Sequence, residues 1–159
     1  MDGDPVGPRR VVRFRDATEA DLPAIVVMLA DDALGAARED LGPPLPPAYA
    51  AGFRAMVVQG GRIILAVDAG EIIGCLQLNL LPGVALRGLL RAEMESVRVA
   101  AARRGGGVGA MLMQEAICQA REAGAGLMQL TTNLARTDAQ RFYERLGFVR
   151  SHAGMKLSL

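Results

Sequence analysis

The stretch "RRGGGVGAML", residues 103–112, sheds its side chains just where a helix is about to begin. Five of the six residues from Gly105 to Ala110 are Gly or Ala. Downstream, Val108, Leu112, Met113, Ala116, Ile117 and Ala120 recur at helical spacing, with Gln114, Glu115, Gln119, Arg121 and Glu122 on the opposite face. Gly124 is the natural stop, so the helix is expected to run to about Ala123. A bare loop at a helix N-terminus lets a ligand touch the backbone. Its successive N–H groups and the helix dipole favour an anion. The strand "VRV" at 97–99 precedes it, so the unit reads as strand, anion nest, helix.

Two familiar phosphate binders are excluded. Gly105, Gly107 and Ala110 satisfy G-x-G-x-x-A, but a dinucleotide fold needs that loop after its first strand and an acidic residue about 20 positions on. Here the loop follows roughly the fourth strand, and residues 123–133 hold no Asp or Glu. No "GK[ST]" follows the glycines, which removes the nucleotide-triphosphate loop.

Outward from the nest, the chain alternates strands and helices. Residues 11–15, "VVRFR", read as a strand, and Thr18 with Asp21 and Pro23 reads as a helix start. Ile25, Met28 and Leu29 give that helix its stripe. "GPPLPP", 42–47, must be an extended linker. Tyr49, Phe53, Met56 and Val57 mark a second helical stripe. Runs 62–68 and 71–80 form a hairpin around "AG", 81–88 is a loop, and 89–100 is a long strand. Beyond the nest helix come a strand over 127–132 and a helix opened by Thr137 with Gln140 and closed at Gly147. Residues 148–159 are expected to finish as strand, turn, strand. The order implies an α/β fold with a mixed sheet and helices on both faces.

The 159 residues fit one domain, expected over 9–159 behind a disordered tail at 1–8. A net charge of +1 gives no reason to expect nucleic acid or an anionic membrane as a partner. Cys75 and Cys118 lie in apolar stretches and read as buried free thiols of a reducing, cytoplasmic setting. His152 is the only histidine and no metal-ligand spacing appears, so neither a metal nor an imidazole triad is expected. The start, "MDGDPVGP", is unlike a signal peptide, and no apolar run reaches membrane-spanning length.

Residues 104–109, Arg-Gly-Gly-Gly-Val-Gly, fit [RQ]-x-x-G-x-[GA], and "TTNLARTDAQRFYERLGF" at 131–148 supplies a second block. Together with the opening "RDATEADLPAIVVML", these resemble the GNAT superfamily of acyl-CoA-dependent N-acetyltransferases across nearly the whole chain. The resemblance implies a mostly antiparallel mixed sheet and acetyl-CoA as cosubstrate. It places the coenzyme pyrophosphate on Arg104, Gly105, Gly106, Gly107, Val108, Gly109 and Ala110, and the pantetheine arm along Val97, Arg98 and Val99. Asn133 matches a further coenzyme contact. Gly106 departs from the family, where Lys or Gln is common.

For the chemistry, the resemblance makes Tyr143 the general acid toward the leaving thiolate. Glu93 and Glu95 are the candidate bases, and strand alternation is expected to place 93, 95, 97 and 99 on one face. Gln77 and Asn79 are expected to line an acceptor site, with 34–52 completing it. The acceptor is expected to be a primary amine of a small molecule. A protein or peptide amine, and a non-catalytic acyl-CoA-binding module on the same fold, remain alternatives. The apolar "MKLSL" suggests an edge covered by a second copy in a homodimer.

Overall fold

The structure is a computed structural model that describes residues 11–159; the tail expected at 1–8 lies outside the described residues. In chain order the elements are β1 (Arg13–Asp16), α1 (Leu22–Ala30), α2 (Ala33–Ala36), α3 (Pro47–Val58), β2 (Arg62–Asp68), β3 (Glu71–Leu81), α4 (Ala85–Gly88), β4 (Arg91–Val99), α5 (Val108–Glu122), β5 (Leu127–Leu130) and α6 (Thr137–Arg145). The sheet runs β1-β2-β3-β4-β5; its first three pairings are antiparallel, and β4 with β5 is parallel. The short α4 is a turn, because Leu86 and Arg87 both adopt left-handed backbone.

Local chemistry explains the first half. Thr18 N–H donates to Asp21 Oδ2 at 2.8 Å, and Asp21 N–H returns a bond to the Thr18 carbonyl at 3.0 Å. Arg15 grips the same carboxylate with two bonds of 2.8 Å. This box launches α1 through a single 3₁₀ turn, Glu19–Asp21. Leu22, Ile25, Val26 and Met28 are buried. In α3 no residue is fully buried; Tyr49, Phe53 and Met56 face inward, but Val57, expected in that stripe, is exposed. The β2–β3 hairpin turns on Ala69 and Gly70, both at positive φ, as a two-residue loop requires.

Two apolar layers cover the two faces of the sheet. Against α5 lie Ile64, Ala66, Leu76, Leu78, Ala92 and Met94, joined by Val97 and Val99. Against α1 lie Leu65 and Cys75. The long strand carries one irregularity that shapes the site. Cys75 pairs with Arg98 and Gln77 with Glu95, so Leu76 alone opposes Ser96 and Val97. Ser96 sits at φ 53, the left-handed residue of a β-bulge. The extra residue flips the alternation.

The second half departs from expectation in several further places. Thr137 is the first residue of α6 rather than its cap, and Gln140 Nε2 donates to the carbonyls of Asn133 and Leu134. Cys118 is exposed, with its thiol 3.5 Å from Glu122, because it falls on the outer face of α5. Residues 148–159 form neither strand. Val149, Met155, Leu157 and Leu159 are exposed, and apolar alternation gives a strand only when one face is buried.

Asp21 supplies a test of the α1 launch. The Arg15 guanidinium and the Thr18 amide hold its carboxyl well below the usual carboxylate range, against the opposing pull of burial. A depressed folded-state value contributes stability above the unfolded value, about 3.9, that is lost as pH falls through the folded one. Asp21→Asn should therefore cost about 1–2 kcal/mol at pH 7. Urea melts should show that difference constant down to about pH 4 and shrinking below it. A difference that grows on acidification would contradict the assignment.

Candidate active site

The site begins where two parallel strands part. β4 and β5 pair only from Arg91/Leu127 to Met94/Leu130. Beyond Met94 the bulge turns β4 away, and beyond Leu130 the chain runs on through Thr131 and Thr132 unpaired. Backbone groups alternate sides along a strand. Ala100 N–H points to β3, donating to Ile73 O at 3.0 Å, so Val97 and Val99 point their amides and carbonyls into the gap. Their carbonyls accept from arginine side chains instead of a strand: Arg98 Nη1 at 3.0 Å for Val97 and Arg104 Nε at 3.1 Å for Val99. The gap is thus a sheet edge able to take an amide-bearing chain as an extra strand.

The nest closes one end of that gap. Gly107 precedes α5 at φ 81 and Gly105 sits at φ 79, conformations that L side chains rarely adopt. A Cβ at either would project into open space. Met111 N–H, bonded to Gly107 O at 3.0 Å, is the first helix amide with a backbone acceptor. The amides of Val108, Gly109 and Ala110 are left for a ligand, with the helix dipole behind them. Gly109 also serves packing. A Cβ there would stand 3.4 Å from the Phe142 ring, so its bareness lets α6 pack on α5. Arg103 anchors the loop from below, bonding Asp68 at 2.9 Å and Glu71 at 3.1 Å across the hairpin end. Sequence reading missed Arg103; a basic residue beside the glycines was its only signal.

The bulge corrects the expected strand face. Val97 and Val99 pack with Ala92 and Met94 on the α5 side. Glu93 and Glu95 point to the other face, where Glu93 pairs with Asn79 and Glu95 with Gln77 across β3. There Gln77 Nε2 donates to Asn79 Oδ1 at 3.2 Å and to Glu95 Oε2 at 3.4 Å, and Asn79 Nδ2 lies 3.5 Å from Glu95. Glu93 turns the other way and accepts from Gln129 Nε2 of β5 at 3.1 Å. The four residues predicted for acid–base work and acceptor binding do form one polar floor, with Gln129 as an unforeseen fifth.

Over the gap stands the corner between α1 and α2. Asp31 takes Arg104 at 2.7 Å, and Asp32 takes Arg136 at 2.7 Å with Arg98 at 3.9 Å. Asp32 also caps α2 through Gly35 N–H at 2.7 Å. Tyr143 on α6 stacks edge-on with Phe142 and Phe148. Burial pushes its phenol above the ordinary value, and Arg98 and Arg136 pull it partly back. It therefore stays protonated at neutral pH. Asn133 is exposed, its Oδ1 accepting from Ala135 N–H at 2.9 Å. Cys75 is inert: burial pushes its thiol up to about 12. Among the described residues no group of His, Cys, Asp and Glu is arranged to hold a metal ion, and no helix is long and apolar enough to cross a membrane.

Comparison with known proteins agrees with this geometry. The sequence profile described as the Acetyltransferase (GNAT) family matches residues 27–148. This chain belongs to the GNAT acetyltransferase family. The GNAT chain is similar to the aminoalkylphosphonate N-acetyltransferase of Salmonella typhimurium, 36% identical over 88 residues. That match spans 55% of this chain and about half, 56%, of the relative's length. A solved structure described as a transcriptional regulator of Bacillus halodurans is 44% identical, with TM-score 0.90, covering 94% of this chain and all of its own (100%). Two GNAT-like solved structures show the fold alone. An acetyltransferase of Trypanosoma brucei is 24% identical at TM-score 0.77, covering 94% of this chain and 100% of its own. A protein of Clostridium acetobutylicum solved with acetyl-CoA is 13% identical at TM-score 0.72, covering 93% and 96%.

The parted strands and the nest fit a coenzyme with a pyrophosphate and an amide-rich arm. Coenzyme A at millimolar concentration should raise the melting temperature, and NAD should not. Gly107→Val should abolish the shift, since a β-branched residue at positive φ distorts the nest. Differential scanning fluorimetry reads all three; an undiminished shift in the variant would move the coenzyme elsewhere.

Proposed function

We propose that this protein transfers the acetyl group of acetyl-CoA directly to a primary amine of a small molecule. The observation that carries the reading is the convergence, around one gap, of an anion nest, a strand edge that lacks a partner strand beyond Met94, a phenol kept protonated by burial, and a polar floor holding two carboxylates. The coenzyme supplies an activated thioester; the chain supplies positioning and proton traffic. Val97 and Val99 align the pantetheine amides, and Gly105 through Ala110 hold the pyrophosphate. Asn133 contacts the coenzyme from the far wall of the same gap.

The incoming amine must lose a proton, and the departing sulfur must gain one. An ordinary ammonium near pKa 10.4 facing a carboxylate near 4.3 leaves a gap of about 6 units, or roughly 8 kcal/mol for direct transfer. The proton therefore passes from the amine through water, with Glu93 as first acceptor and Glu95 orienting the amine. Gln77 and Asn79 fix Glu95, and Gln129 fixes Glu93. Tyr143 O–H donates to the sulfur as the C–S bond breaks.

Acceptor chemistry is narrowed by the Salmonella relative, whose named substrate class joins an amine to a phosphonate. Aminoalkylphosphonates are thus the first acceptors to offer, ahead of peptide amines. The Bacillus neighbour's description favours a second reading, a coenzyme-binding regulatory module without catalysis. Thiol release from acetyl-CoA across a panel of amines, aminophosphonates and peptides separates the two. Turnover with any small amine supports the enzyme; coenzyme binding without thiol release from any acceptor supports the module.

Tyr143→Phe should lower kcat by about 10²- to 10⁴-fold, the range of general acid–base contributions. Coenzyme affinity should change little, because the ring still packs. Full turnover in that variant would return Tyr143 to a packing role.

The chain is further proposed to pair with a second copy. The outer edge of β5 has no partner strand among the described residues, and Val149, Met155, Leu157 and Leu159 of the C-terminal segment are exposed apolar side chains. Light scattering at tens of micromolar should give the mass of two chains, and one chain would contradict this.

A further inference from the structure

Resting on the acetyltransferase reading, we infer that Arg98 and Arg136 form a subsite for an anionic group carried by the acceptor, so that the preferred substrate is an amine with a phosphonate, phosphate or carboxylate at its far end. Two guanidiniums, from β4 and from the turn before α6, converge on one carboxylate oxygen, Asp32 Oδ2, at 3.9 and 2.7 Å. The other oxygen of Asp32 is committed to Gly35 N–H. One negative charge thus faces two positive ones. Bringing like charges to one atom is unfavourable unless further negative charge joins them.

The donors are also under-used. Arg98 gives Nη1 to the Val97 carbonyl, and its Nε is buried without a partner. Among the described residues Arg136 donates through Nη2 alone. Both side chains keep partial access to solvent, 20% for Arg98 and 31% for Arg136. A planar guanidinium with free N–H groups is suited to a tetrahedral or planar oxyanion.

Placement decides whose anion this is. Arg98 shares the α1 face of β4 with Glu93 and Glu95, on the side of the sheet away from α5. Arg98 lies three positions beyond Glu95, with one of the two residues between them taken up by the bulge, a span of about 10 Å or less at ~3.3 Å per residue. The face therefore carries negative charge at one end and positive charge at the other, with the Val97 edge between. A short zwitterion, ammonium toward the glutamates and anion toward the arginines, sets its nitrogen beside the thioester. The nest lies beyond Val99, past the 3₁₀ turn at Ala101–Arg103, and serves the coenzyme's own phosphates.

The test pairs two acceptors of similar size, 2-aminoethylphosphonate and n-butylamine, with wild type and Arg136→Gln. The ratio of their kcat/KM values should favour the phosphonate in wild type and fall at least tenfold in the variant. Calorimetry with 2-aminoethylphosphonate, coenzyme A present, should show Kd weakened at least tenfold by Arg136→Gln. Asp32→Asn keeps a capping side chain but removes the competing charge, and should tighten that Kd. A purely structural ion cluster would weaken or not change in both variants, and that result overturns the inference. So does an unchanged acceptor ratio with a tenfold loss in coenzyme A affinity, which would give the arginines to the coenzyme. If no amine is acetylated at all, the enzyme reading fails, and the two Kd shifts still decide the anion subsite.

Discussion

One extra residue in β4 organises the site. Ser96 takes a left-handed backbone that costs a non-glycine residue about 1 kcal/mol or more. In return the strand does two incompatible things along its length. Before the bulge it pairs with β5 and buries Ala92 and Met94 against α5. After it, the strand leaves β5, keeps Val97 and Val99 on the same α5 face, and turns their backbone groups into the gap. Without the flip, Val97 and Val99 would share the face of Glu93 and Glu95. The α5 layer would then lose both valines and take the Arg98 guanidinium in their place, a costly burial of charge.

The gap needs walls that hold without a strand between them. The Asp31–Asp32 corner provides them, joining Arg104 beyond β4, Arg98 on β4 and Arg136 past β5. These pairs are partly exposed, so each contributes modestly to stability. Their value is geometric. They fix the edge of the nest and the approach to Tyr143 from three separate segments. The same arginines temper the phenol that burial raises, so the proposed anion subsite and the proposed general acid share one electrostatic environment.

Much of this was legible in the sequence because it rests on local chemistry. The glycines at 105 and 107, the Thr18–Asp21 box and the Ala69–Gly70 turn each announce a backbone conformation that few other residues adopt. The α5 stripe announces its buried face. What stayed hidden depends on contacts distant in sequence. Ser96 carries no compositional mark of a bulge, so simple alternation misplaced Val97 and Val99. Arg103, Gln129 and Arg136 become informative only when folding brings Asp68, Glu93 and Asp32 to them. The tail at 148–159 shows the reverse failure: a strand-like pattern is not a strand without an edge to join.

On the proposed reading, the parted edge of β4 and the nest of α5 receive one extended ligand, the coenzyme. Amide hydrogen exchange with and without coenzyme A tests it most directly. New protection is expected at Val97, Val99 and the amides from Gly107 to Ala110, with Ala92 and Met94 unchanged because they already lie in the paired part of the strand. Protection confined to other segments, with Val97 and Val99 exchanging as before, would contradict it.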